Sequence, residues 1–372
     1  MTAEKLGQVH GVRIGLVLGG GGVIGLAYHA AALAAMELDL GWDPRSADVI
    51  VGTSAGSVVG SLLRRGVPAS DLAAVTVGAE VLDSPPGTAE ALSDRPEFPP
   101  VRLGSFLGRP RLPHPALIGA WARRPWRLDP LAALVSVLPD GSLDLAEHSS
   151  AIDRALGQEW PEQDLWVCTV RQDDLRRVVF GREAAGPLAG AVCASCAVPG
   201  YFRPVRIDGR AYIDGGVRSP TNADVLRHSD LDLVIIVSPM SGRDLGLVGL
   251  GNVVRRRARR TAMAERAELE KAGIPSVLIE PGPEAIIAQG ADFMSSANVE
   301  DVVRTSFLDT GVQLAAPITR TLLAGLNERA RSPIVPSASA SGAGSRAKRR
   351  ARRKDRLGGR GRGRSRGVSK DG

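Results

Sequence analysis

The chain has 372 residues, 44% of them apolar, which is enough to pack a core and excludes a wholly disordered protein. Its net charge of +7 is misleading, because residues 333–372 hold 13 Lys/Arg against two Asp and leave the body mildly acidic. Three cysteines in this length exclude a disulfide scaffold and point to a reducing compartment.

The N-terminal MTAEKLGQVH has no basic segment leading into an apolar one, so no signal peptide is expected. Val12–Leu18 reads as a buried strand, followed by four glycines, Gly19 to Gly22, and an Ala-rich helix over about 25–38. Asp48–Val51 reads as a second strand that runs through Gly52-Thr53-Ser54-Ala55-Gly56 into a helix over about 57–65. Strand, tight turn and helix thus occur twice, the rhythm of a parallel α/β sheet. Residues 83–140 hold 11 of the 25 prolines and read as an irregular, lid-like insertion. Within it, Trp121 and Trp126 among Arg123, Arg124 and Arg127 read either as buried lid residues or as an interfacial patch.

Order returns with a helix over 149–156 and a strand over 165–170, onto which 176–180 pairs back. A small-residue helix over 187–198 must stop before Pro199. Val205–Ile207 and Arg210–Ile213 flank Asp208-Gly209, a two-residue hairpin signal. Asp214-Gly215-Gly216 leaves the second hairpin strand. The ten-residue run Leu231–Met240 contains a central strand, a long charged helix covers 255–271, and Ser276–Ile279 is apolar. A last helix is expected near 315–329. From Pro333 the composition is Ser, Gly, Ala and Arg, and the tail is expected to be disordered. The domain boundaries are accordingly an arm over 1–9, one domain over 10–330 and the basic tail over 333–372.

Three motifs could carry chemistry. A serine on a tight strand-to-helix turn projects its hydroxyl above the sheet edge, and Gly52 and Gly56 relieve the crowding around Ser54. Gly19–Gly22 with Gly25 leaves backbone N–H groups bare for an anion, either a phosphate or a tetrahedral oxyanion. Asp214 is held at a strand end and followed by two permissive glycines, a geometry that aims a carboxylate at a cleft.

In this order the three motifs resemble the patatin-like phospholipase family, and the stretch Ala191–Gly200 with Phe202 and Pro204 resembles the family segment before its Asp-Gly-Gly. The likeness spans about 13–238. It implies a patatin-like three-layer α/β fold, with a mostly parallel central sheet flanked by helices. It also implies a Ser–Asp dyad with Ser54 as nucleophile and Asp214 as proton acceptor, and an oxyanion hole from Gly20, Gly21 and Gly22, with Ala55 as a further donor. Gly25, Gly52, Gly56, Gly215 and Gly216 are the motif glycines. The implied activity is lipid acyl hydrolysis, on a phospholipid or another acyl-ester lipid, with no metal and no cofactor. One departure is Ile24, which stands where the family loop often has Arg or Lys.

Four rival readings remain at this stage. Gly20-x-Gly22-x-x-Gly25 fits a dinucleotide fingerprint, but Asp39 and Asp43, near the required spacing, lie on no strand. A hydrolase triad Ser54–Asp214–His228 has the right chain order, although Asn222–Ser229 reads as a polar surface helix. The fold could serve as a non-enzymatic lipid-binding scaffold. Cys193-x-x-Cys196 could bind metal, but with only Cys168 as a further thiol it reads better as small core residues. The basic tail suits an anionic membrane; it has no aromatics for base stacking, so no specific nucleic acid is expected. The expected location is the cytoplasm or a membrane surface.

Overall fold

A computed structural model describes residues 12–85, 112–123, 130–145, 149–242 and 250–323. All of them fall in the first of two compact units, Met1–Arg331 and Ser332–Gly372. The arm, the basic tail, Trp126 and most of the proline-rich insertion lie outside the described residues.

Eight strands form one sheet: β1 (Ile14–Leu18), β2 (Val49–Thr53), β3 (Asp164–Arg171), β4 (Arg177–Phe180), β5 (Val205–Ile207), β6 (Arg210–Asp214), β7 (Leu233–Val237) and β8 (Ser276–Ile279). Hydrogen-bonded neighbours run β5-β6-β3-β2-β1-β7-β8, with β6 and β2 meeting successive parts of one edge of β3 and β4 pairing with the other. The run from β3 through β2, β1 and β7 to β8 is parallel, and β4, β5 and β6 pair antiparallel at one side. The expected mostly parallel sheet is therefore the one observed.

Side-chain alternation divides the core into two layers. Ile14, Leu16, Leu18, Ile50, Leu165, Val167, Leu233, Ile235 and Val237 face one side. There they meet α1 (Gly22–Leu40), α2 (Ala55–Arg64) and α3 (Ala69–Thr76). Val17, Val49, Val51, Cys168, Val234 and Ile236 face the other, against Ala223, Val225 and Leu226 and against Leu269. Four more helices follow α3: α4 (Pro115–Arg123), α5 (Pro130–Val137), α6 (Ser149–Leu156) and α7 (Leu188–Cys196). Leu269 belongs to α8 (Leu250–Lys271), which precedes α9 (Pro283–Gln289) and α10 (Val299–Ala315). Helices on both faces of a mainly parallel sheet make the three layers. Helix α1 is long and apolar enough to cross a bilayer, yet 67% of that stretch is buried here, as in the core helix of a globular domain.

Three elements differ from the sequence reading. Helix α1 starts inside the glycine run, at Gly22. The last expected helix, near 315–329, is preceded by an unforeseen one, α10, which packs along α1. The segment Asn222–Ser229 is a short 3-10 turn over Ala223–Leu226 whose residues are buried, not a surface helix.

Strand β1 and helix α2 cross so closely that a Cβ on Gly56 would overlap the Leu18 carbonyl oxygen. Gly56→Ala must therefore push backbone away from backbone. A loss of about 3 kcal/mol or more is expected, read as a lowered urea midpoint with unchanged slope.

Candidate active site

The site is built at one edge of β3. Strand β2 runs parallel to β3 and ends with Thr53 opposite Cys168. Strand β6 runs antiparallel to it and ends with Asp214 opposite Thr169. Because β4 pairs with these same two residues, it occupies the other edge. Two strands of opposite sense therefore end against consecutive residues of β3, which brings Ser54, the residue after Thr53, up to Asp214.

Ser54 has φ 52° and ψ −124°, a strained conformation for a residue with a side chain, of order 1–3 kcal/mol. Its N–H donates to Ser195 Oγ at 2.8 Å, and that hydroxyl donates to the Cys168 carbonyl at 2.7 Å. The Ser54 carbonyl, turned into α2, accepts from the Ser57 N–H at 2.8 Å and from Ser57 Oγ at 2.7 Å. The serine hydroxyl lies close enough to the Asp214 carboxylate to favour its ionised form.

Asp214 is only 5% exposed. Its N–H donates to the Ala197 carbonyl at 2.9 Å, and its Oδ1 accepts the Gly216 N–H at 2.6 Å. Burial pushes its pKa up to about 6, while the Gly216 N–H and the nearby Ser54 hydroxyl hold it from rising further. The end of α7 thus holds both residues by their backbone N–H groups, Ser54 through Ser195 and Asp214 through Ala197. Nothing in the sequence marks Ser195; only the approach of α7 in three dimensions gives it this role.

The glycine loop lies against Ser54: a Cβ on Gly20 would sit 3.4 Å from the Ser54 Cβ. Gly22 has φ 61°, and a Cβ there would lie 2.5 Å from the Phe293 carbonyl oxygen, so only glycine fits. The three glycines are not equivalent. The Gly20 N–H already donates to the Pro220 carbonyl at 2.8 Å, so it is engaged in this structure. Among the described residues, the amides of Gly21, Gly22 and Ala55 donate to no protein acceptor. They lie at the N-termini of α1 and α2, where the partial charge is positive.

His29, on α1, fixes the other end of the loop. Its Nε2 lies 2.7 Å from the Gly19 carbonyl. A carbonyl only accepts, so Nε2 carries the proton, and burial lowers the ring's pKa to about 4 and keeps it neutral. Behind β2, Asn222 Nδ2 donates to Thr53 Oγ1 at 3.1 Å, and Arg177 bridges Asn222 and Asp224. Glu265 accepts from Thr221 Oγ1 at 2.5 Å and from the Ala223 N–H at 2.8 Å, and burial raises its pKa. A cavity of about 610 Å³ opens beyond this network, walled by Arg218, Arg256, Arg260 and Glu265; neither Ser54 nor Asp214 lines it.

His228 stands apart from the site. It is exposed, and its Nε2 accepts from Arg227 Nε at 3.1 Å. The triad alternative is therefore corrected: no histidine ring reaches Ser54 through it. Cys193 and Cys196 are free thiols on α7. Burial pushes the Cys193 thiol up to about 12 and raises Cys196 further, as expected of core residues. Among the described residues, no three of His, Cys, Asp and Glu gather as a metal site.

The family model described as Patatin-like phospholipase matches residues 16–227, more than half of the chain. The chain belongs to this family. All three motifs of the site lie within the patatin-like match, as do β1 to β6 from Leu16 onward. No curated protein matches the chain. Among solved structures it is similar to VipD from Legionella pneumophila, at 14% identity and TM-score 0.40, over 84% of this chain and 67% of that one. It is also similar to the type III effector protein ExoU, at 14% identity and TM-score 0.30, over 82% of this chain and 54% of that one. The ExoU–SpcU complex of Pseudomonas aeruginosa gives 17% identity and TM-score 0.29, over 93% of this chain and 61% of that one. The assignment to the patatin-like family rests on the sequence match, and family members are lipid hydrolases.

Proposed function

We propose that this chain hydrolyses acyl-ester lipids with Ser54 as nucleophile and Asp214 as general base. The observation that carries the reading is the convergence of a strained serine and a buried carboxylate of raised pKa, brought together by β2 and β6 ending against consecutive residues of β3. Ser54 Oγ attacks the ester carbonyl carbon while Asp214 takes its proton. The amides of Gly21 and Gly22, with Ala55, receive the negative charge on the carbonyl oxygen. The C–O bond then breaks, and the alcohol or lysolipid leaves with the proton from Asp214. Water, deprotonated by Asp214, attacks the acyl-serine, and the fatty acid departs as Ser54 regains its proton.

A fluorophosphonate probe tests this directly. Intact mass should show one adduct, and peptide mapping should place it on Ser54. A folded chain that takes no label there is the result a lipid-binding scaffold would give, and it would falsify the proposal.

A further inference from the structure

The glycine loop carries no cation of its own: Ile24 is 1% exposed and packed in the core. Behind the loop, however, lies an arginine that the mechanism above does not use. Arg255, near the start of α8, is 3% exposed. Its Nη1 makes only long hydrogen bonds, 3.3 Å to the Pro239 carbonyl and 3.5 Å to that of Ser241. Its guanidinium stands 5.0 Å over the Phe293 ring, and Nη2 has no partner. Its neighbours on α8 are paired, Arg259 with Glu280 and Arg266 with Glu270; among the described residues no carboxylate pairs with Arg255. Burial lowers its pKa to about 10, which leaves it charged at neutral pH.

A buried cation with no counter-ion among the described residues is costly, and its position makes this one more so. The two residues that hold it also shape the loop. Pro239 Cβ lies 3.0 Å from where a Gly21 Cβ would stand, and the Phe293 carbonyl accepts the Ile24 N–H at 3.1 Å. Arg255 therefore sits one residue's thickness behind the N-terminus of α1, itself the positive end of a helix. Two positive ends held together out of water have a use when an anion arrives at the loop in front of them.

We infer that Arg255 supplies positive potential to the Gly21–Gly22 amides, stabilising the oxyanion across Pro239 and Phe293 in place of a basic side chain within the loop. Arg255 touches no substrate and acts through the field it sets at the loop. The inference rests on the Ser54–Asp214 reading. The developing charge belongs to the ester, so the effect does not depend on the lipid headgroup.

The test compares wild type, Arg255→Met and Arg255→Lys on neutral p-nitrophenyl butyrate and on phosphatidylglycerol vesicles. For a charge acting at about 10 Å through the protein edge, kcat should fall about ten-fold or somewhat more in Arg255→Met. The fall should be equal on both substrates, with KM unchanged. Arg255→Lys should recover part of it, and the melting temperature of Arg255→Met should hold or rise as the buried charge is removed. Unchanged kcat overturns the inference. So does a loss confined to phosphatidylglycerol, which would make Arg255 a headgroup residue. A loss that comes with a lowered melting temperature and no rescue by lysine would make it structural. Wild type that fails to label at Ser54 overturns this inference and the catalytic reading together, whereas labelled wild type with unaltered Arg255→Met kinetics overturns this inference alone.

Discussion

Ser54→Ala is expected to lower hydrolysis of p-nitrophenyl butyrate by on the order of 10⁴- to 10⁶-fold, the scale seen when a catalytic serine is removed. The proposed covalent step has no other hydroxyl at its centre. Ser195 Oγ is committed between the Ser54 N–H and the Cys168 carbonyl, and Ser57 Oγ donates to the Ser54 carbonyl. The turn should survive the change, because alanine at φ 52° is strained as serine is, and the backbone hydrogen bonds to Ser195 and Ser57 do not involve the lost oxygen. A melting curve close to that of wild type would show that the loss is chemical. Turnover retained at a substantial fraction of the wild-type rate would move the chemistry away from Ser54.

The parts of this site that were legible in the sequence are those whose cause is local. A strand that runs through Gly-x-Ser-x-Gly into a helix must turn sharply, and the turn at Ser54 follows from residues 48–65 alone. The Asp208-Gly209 hairpin likewise sets where β6 ends, and so where Asp214 stands. What brings these two together was not legible, because it depends on β3 receiving β2 and β6 end to end along one edge. The partners supplied across the fold were hidden for the same reason. Ser195 read as one small residue in an Ala-rich helix, and Asn222 as part of a polar surface. The glycine run shows the opposite difficulty. Three glycines promised three equivalent amides, but the approach of Pro220 takes the first of them. Helix α10 escaped notice because VEDVVRTSFLDTGVQLA mixes apolar and polar residues with little periodicity and carries Gly311 near its end; packing against α1 overrides that weak preference.

Asp214→Asn is expected to lower turnover by on the order of 10²- to 10⁴-fold, since an amide cannot take the serine proton. The same change should make the protein more stable at neutral pH. An unfolded Asp ionises at about 3.9, whereas burial raises Asp214 to about 6 in the folded chain. Between these values the native state keeps a proton that the unfolded chain has released, so stability falls as pH rises through the window. Above pH 6 the full cost of holding the buried charge stands, about 3 kcal/mol at most for a shift of this size. Asparagine carries no such cost and can still accept the Gly216 N–H. The variant should therefore melt above wild type at pH 8 and level with it near pH 4. Wild-type kcat/KM should follow the carboxylate: flat above about pH 6 and falling roughly ten-fold per unit below it. A wild-type profile that stays flat well below pH 5 would remove Asp214 as the base, and so would an asparagine variant with undiminished turnover. A variant that loses activity while gaining stability at pH 8 alone, and not at pH 4, would show that the carboxylate is kept for chemistry at a cost in stability.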